Sequence, residues 1–139
     1  MDLSTDIRPK LAAGYIVVCD RYIASSYILQ RIDGVPIEFI EAINAHADTP
    51  DLAVVLTADP LVTADRITHR GPHNRFESGP DSSRVEADLC ADTVARLAKR
   101  GYPLMTIDTG RVPSEVVVHM IVERIAHLAG VPRTTSSRA

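Results

Sequence analysis

An α/β fold built on a parallel sheet is predicted by three short apolar runs, the helical patterns between them, and the turn residues that separate the two. Tyr15 to Cys19 (YIVVC), Leu52 to Thr57 and Leu104 to Ile107 are rich in β-branched residues and almost free of charge. Such runs suit strands covered on both faces, which is how parallel sheets are buried. The intervening segments carry the caps and stops of helices.

In chain order, the first strand is expected at Tyr15 to Cys19 and a short helix at Ser25 to Arg31, with Asp33-Gly34 marking the turn after it. Pro36 opens a helix over Ile37 to Ile43, whose Ile37, Ile40 and Ile43 share a face with Ala47. Thr49-Pro50 breaks it, and Leu52 to Thr57 forms the second strand. Asp59 is a natural N-cap with Pro60 at the first helical position, and Gly71 supplies the stop. Ser83 and Glu86 have the spacing of a capping box, which predicts a helix from Arg84 to Arg100 burying Val85, Leu89, Val94 and Leu97. Gly101 ends that helix before the third strand at Leu104 to Ile107. Pro113 then starts a last helix with an apolar stripe of Val117, Ile121, Ile125 and Leu128.

The 139 residues are 45% hydrophobic and 24% charged, enough for one ordinary core, expected over residues 1–130 with a disordered tail at 131–139. The net charge of -3, with its 15 basic residues spread along the chain, argues against nucleic-acid binding, which needs clustered Lys and Arg. MDLSTDIRPK has no apolar leader core and no run is long enough to span a membrane, so a cytoplasmic protein is expected. Cys19 and Cys90 are expected as free thiols.

Chemistry concentrates in DRYIASSYILQ, Asp20 to Gln30, directly after the first apolar run. Ligands of parallel sheets bind beyond the carboxyl ends of the strands, where Asp20 and Arg21 fall. A carboxylate there can hold a metal-bound water, and a guanidinium can fork onto phosphate. Ser25, Ser26 and Gln30 add two hydroxyls and an amide. On residue type alone Asp20 could equally cap the next helix, Arg21 could be a solvated ion-pair partner, and either serine could be a cap.

The full pattern resembles the signature of thymidylate kinases, which transfer phosphate from ATP to dTMP. Asp20, Arg21, Tyr22, Ser25, Ser26 and Gln30 fall at its spacing. The resemblance runs from IRPKLAAG through PDLAVVL, RITHRG and GPHNRFE to LMTIDTG, covering about Asp6 to Leu128. It implies a three-layer P-loop kinase-like parallel sheet with flanking helices, using ATP and Mg²⁺ as cofactors and dTMP as the acceptor. It also implies that Asp20 assists the metal through water, that Arg21 grips phosphate, and that Ser25, Ser26 and Gln30 bind the nucleotide. Asp20, Arg21 and Arg75 are its candidate catalytic residues.

Two positions depart from the family pattern. Ala24 replaces a frequent acid, and Leu29 replaces an aromatic, removing a shape cue against other sugars; another nucleoside monophosphate is therefore an open alternative to dTMP. The segment from Arg66 to Glu77 resembles the lid, with Arg66, Arg70 and Arg75 as its arginines. Gly71-Pro72 and Gly79-Pro80 bracket it, which suits a loop that closes over charged ligands. Arg66 could instead be a solvated helix residue, and Arg70 could merely favour a helix C-terminus.

No G-x-x-x-x-G-K-[ST] run occurs in these 139 residues. In the family that P-loop follows a central strand lying between those matched by Tyr15 to Cys19 and Leu52 to Thr57. The expectation is therefore a truncated fold, with the first strand and P-loop absent and an open slot in the sheet. Three readings follow: a thymidylate-kinase-like phosphotransferase, a catalytically inactive nucleotide-binding or regulatory partner of a complete kinase, or a remnant without a folded role. Either the two flanking strands close directly onto each other, or a homodimer or a complementing kinase subunit fills the slot by adding a strand.

Overall fold

A computed structural model describes residues 3–73, 75–77 and 81–130, leaving out the side chains of residues 3, 4 and 75. A π-helical turn at Leu3–Ile7 leads into helix α1, Arg8–Ala12. Helices α2, Ile23–Ile32, and α3, Ile37–Ile43, follow before strand β1, Ala53–Thr57. Helix α4, Pro60–Arg70, a 3-10 turn at Arg75–Glu77 and helix α5, Ser82–Lys99, come next. Strand β2, Leu104–Asp108, and helix α6, Ser114–Leu128, complete the order. The two strands pair in parallel, with Ala53 opposite Leu104 and Thr57 opposite Asp108. Helix α5 packs against both strands and against α2 and α4. The chain is thus α/β, with a helical crossover joining parallel strands.

The main core lies among the helices. Ile23 and Tyr27 of α2, Ile40 of α3 and Leu97 of α5 are buried together, and Tyr22, Val35, Ile37, Ala47, Tyr102 and Leu104 pack around them. Ile23 and Tyr27 are four apart and so share the face of α2 that meets α5. Tyr27 buries its ring with its hydroxyl satisfied, because Arg100 donates to it at 2.6 Å. A second crossing bond, from Arg31 to Asp92 at 2.6 Å, ties the end of α2 to the middle of α5. Asp92 also accepts from Arg96 at 2.8 Å.

Helix α4 follows its sequence signals closely. Asp59 accepts from the Leu61 amide at 2.8 Å, Pro60 is the first helical residue, and Gly71 closes the end with its amide on the Ile67 carbonyl at 2.8 Å. Its φ of 83° is the left-handed conformation that makes glycine the natural residue there. Gly101 stops α5 in the same way, at φ 77°.

Several expectations are corrected. Tyr15 to Cys19 forms no strand: Tyr15, Ile16 and Val18 are 67, 62 and 75% exposed, and the sheet has two strands where three were expected. β-propensity describes fit to a ladder and a covered face, and the run has neither. Helix α5 begins at Ser82 after Asp81, with no side-chain cap, so Ser83 sits inside the first turn and no capping box forms. Its buried residues are Cys90, Thr93 and Leu97, whereas Val85 is exposed. Ile43 is exposed at the end of α3, where the helix stops before its stripe is complete. Of the α6 stripe, Val117 is buried and Leu128 is exposed. Both cysteines are free thiols, with Cys90 buried and Cys19 half-buried. The expected tail lies outside the described residues. No described helix is long and apolar enough to cross a membrane.

Leu97→Ala should cost about 2 to 5 kcal/mol, because it empties the centre of the α2–α3–α5 core; urea unfolding measures the loss. The acid limb of stability should depend on Asp92. Hydrogen bonds from Arg96 and then Arg31 hold its carboxyl below the ordinary value of 3.8. The stabilisation is therefore present above that value and is lost as pH falls through the lowered one. Asp92→Asn should flatten this loss in pH-dependent melting while costing about 1 kcal/mol or less at neutral pH, since both partners are partly exposed.

Candidate acceptor cleft and lid

The left-handed backbone at Arg21 marks the site: among the described residues it is the one non-glycine with positive φ, at 65°. An L-residue pays for that conformation, so its neighbours must impose it. Tyr22 is one such neighbour. Its ring packs on the helical core, and its hydroxyl donates to the Asp48 carbonyl at 3.1 Å. Burial, and next the Asp48 carboxylate, push the Tyr22 phenol up from its ordinary value, keeping it a donor. Asp48 in turn accepts from Arg8 through Nε and a terminal guanidinium nitrogen, each at 2.8 Å. That pairing, a hydrogen bond first of all, holds the Asp48 carboxyl below its ordinary range.

From Arg21 the chain turns directly into α2. With Ile23 and Tyr27 committed to the core, Ser25, Ser26, Leu29 and Gln30 turn to another face. These four line a cleft of about 500 Å³ together with Arg21, Tyr22, Ile23, Asp33, Asn44 and Phe76. Arg21 supplies its positive charge, the serines and Gln30 its hydrogen-bonding groups, and Leu29 and Phe76 apolar walls. Such a mixture suits a small anionic ligand with an apolar body. The Gln30 Oε1 atom is buried without a hydrogen-bond partner, a costly arrangement in the absence of a ligand donor or water. Asn44 spends its amide nitrogen on the Ile40 carbonyl at 2.8 Å, leaving its oxygen as an acceptor.

The structure decides which of these residues caps α2. Tyr22 is the N-cap of α2, with no side-chain cap bond, so Asp20 is not the cap and Ser25 and Ser26 lie within the helix. Asp20 is exposed and stands outside the cleft lining. A single carboxylate suits Mg²⁺, which keeps most of its water. No group of three or more potential metal-ligating side chains is gathered among the described residues.

The arginines of the lid-like segment are engaged elsewhere. Arg66 donates to the Thr109 carbonyl at 2.9 Å, just beyond β2, and Thr109 is itself bonded to the Thr57 carbonyl at the end of β1. Arg70 donates to Glu77 at 2.7 Å, and Glu77 also accepts from the His73 amide at 2.8 Å. Those two bonds, the His73 amide first, hold the Glu77 carboxyl below its ordinary range. The Arg75 side chain lies outside the described residues. Four expected residues, Arg21, Ser25, Ser26 and Gln30, therefore share one cleft, while Arg66 and Arg70 do not line it. Asp33, Asn44 and Phe76 were missed; the one clue was that Phe76 adjoins Arg75 in the lid-like run.

The family profile for thymidylate kinase matches residues 1–121. A probable thymidylate kinase of Pyrobaculum aerophilum is 35% identical over 122 residues, covering 86% of this chain and 60% of the relative. One from Caldivirga maquilingensis is 39% identical over 111 residues, covering 80% and 52% respectively. A third, from Pyrobaculum calidifontis, is 39% identical over 121 residues, covering 86% and 60%. The chain thus spans between half and three-fifths of the length of these relatives. With the profile extending over nearly all of its described elements and the signature residues other than Asp20 lining one cleft, the chain belongs to the thymidylate kinase family.

Proposed function

We propose that this chain supplies the acceptor half of a dTMP kinase, holding the nucleoside monophosphate that receives phosphate from ATP to give dTDP. The observation that carries the proposal is the convergence of Arg21, Ser25, Ser26 and Gln30 on one cleft. In this reading Arg21 binds the acceptor phosphate, and Ser25, Ser26 and Gln30 bind the nucleoside. Asp20 holds Mg²⁺ through water, and Arg66, Arg70 and Arg75 neutralise charge on the transferring phosphoryl group. Phosphoryl transfer relies on positioning and charge neutralisation, so arginines and a metal ion are the groups it needs. A cytoplasmic setting, where free nucleotides are phosphorylated, goes with this reading.

ATP needs a backbone cradle, and no Walker A run is present in the 139 residues. Productive transfer in this proposal therefore draws on polypeptide beyond them. A second reading, an inactive nucleotide-binding partner of a complete kinase, is favoured by one feature of the sheet. Among the described residues β1 bonds only β2, and Tyr15, Ile16 and Val18 of the apolar run stand exposed outside the ladder. A strand donated by a complementing subunit or a second copy would pair with β1 and cover that run.

With dTMP, ATP and Mg²⁺, an ADP-release assay of the 139 residues alone should stay at background. Turnover of about 1 to 1,000 per second would overturn the assignment of the ATP cradle to other polypeptide. Calorimetry should detect dTMP binding without ATP, and Arg21→Ala should weaken it by about 1.5 to 3 kcal/mol, the scale of a hydrogen bond to a charged group. Equal affinities would remove Arg21 from the phosphate site.

A further inference from the structure

We infer that Tyr22, held by the Arg8–Asp48 pair, is a positioning residue that keeps Arg21 in its phosphate-directed, left-handed conformation. The inference rests on the acceptor-cleft reading and adds to it a device outside the cleft's hydrogen-bonding groups. Arg21 has φ 65° and is not a glycine, so its geometry persists only where adjacent structure over-determines it. Downstream, Tyr22 is fixed twice, by ring packing on the core and by its hydroxyl on the Asp48 carbonyl at 3.1 Å. Asp48 belongs to the loop entering β1 and would be a poor anchor if that loop were loose. Arg8 grips its carboxylate with two bonds of 2.8 Å, the fork geometry that fixes orientation as well as distance.

Three segments that are distant in sequence therefore meet behind one arginine. α1 supplies the grip, the loop before β1 supplies the carbonyl, and Tyr22 transmits the restraint to the peptide that joins it to Arg21. None of Arg8, Asp48 or the Tyr22 hydroxyl is placed on the acceptor phosphate. Their effect on binding passes through the backbone of Arg21.

Such a role predicts a selective defect. Tyr22→Phe keeps the packed ring and removes only the hydroxyl. It should lower dTMP affinity about fivefold, the equivalent of one lost hydrogen bond, while thymidine, which has no phosphate for Arg21 to hold, binds within about twofold of the parent. Asp48→Asn, which weakens the Arg8 grip and leaves the carbonyl in place, should shift the dTMP-to-thymidine ratio in the same direction. An unchanged ratio in both variants, with thermal melting confirming that they fold, would overturn the inference.

A stability cycle tests the same coupling without ligand. Arg21→Gly relieves the left-handed strain and should raise the folding equilibrium constant about fivefold in the parent, with a smaller gain in the Tyr22→Phe background, where one of the two restraints on residue 22 is gone and Arg21 is partly relaxed. Equal gains in the two backgrounds would also overturn it. Failure of the parent to bind dTMP would count against the acceptor-cleft reading, and the cycle alone would then decide the role of Tyr22.

Discussion

The packing of α2 on α5 is the constraint from which the cleft follows. Ile23 and Tyr27 must face Leu97 to form the core, and that choice fixes the rotation of α2 about its axis. Once the rotation is set, Ser25, Ser26, Leu29 and Gln30 have one direction left to face. Arg31 bound to Asp92, and Arg100 bound to the Tyr27 hydroxyl, lock the same rotation from the polar margin of the contact. Fold and site are thus two sides of one ten-residue helix. Loss of the core face would turn the cleft-lining face away.

The sheet makes a smaller contribution to this arrangement. β1 and β2 carry the ends of α4 and α5, and Thr109 stitches their carboxyl ends together through the Thr57 carbonyl. Arg66 joins that stitch from α4, so the helix leading to the lid-like segment is anchored at the edge where ligands of α/β sheets gather. Glu77 then draws Arg70 toward the far side of the lid segment. Arg70 is thus charge-paired within the lid-like segment, Arg66 bonds neutral Thr109 beyond β2, and neither lines the cleft in this conformation.

The sequence was most legible where local chemistry sets the outcome. Asp59-Pro60 and Gly71 define both ends of α4 because an N-cap, a proline without an amide proton and a left-handed stop act within a few residues of themselves. The cleft residues of α2 were legible for a related reason, since their spacing on a single helix decides which of them share a face. Asn44 and Phe76 reach the same cleft from other segments, and no local pattern announces that meeting. Tyr15 to Cys19 was misread because strand formation belongs to a pair of segments, whereas propensity belongs to one. The start of α5 was misread because Ser83 and Glu86 satisfy a spacing rule, whereas the helix already begins at Ser82, after Asp81 and without a side-chain cap.

The bonds that hold the cleft in shape join residues far apart along the chain. Arg8 to Asp48 closes a separation of 40 residues, Arg31 to Asp92 one of 61, and Arg100 to Tyr27 one of 73. Each closure costs chain entropy, which a helix forming by itself does not have to meet. Helix α2 alone, with Ser25, Ser26 and Gln30 correctly spaced, would present no cleft, because Asn44 and Phe76 come from other segments. Competence to hold a ligand therefore arrives together with the completed tertiary structure, and a ligand that selects the cleft stabilises the whole chain against unfolding.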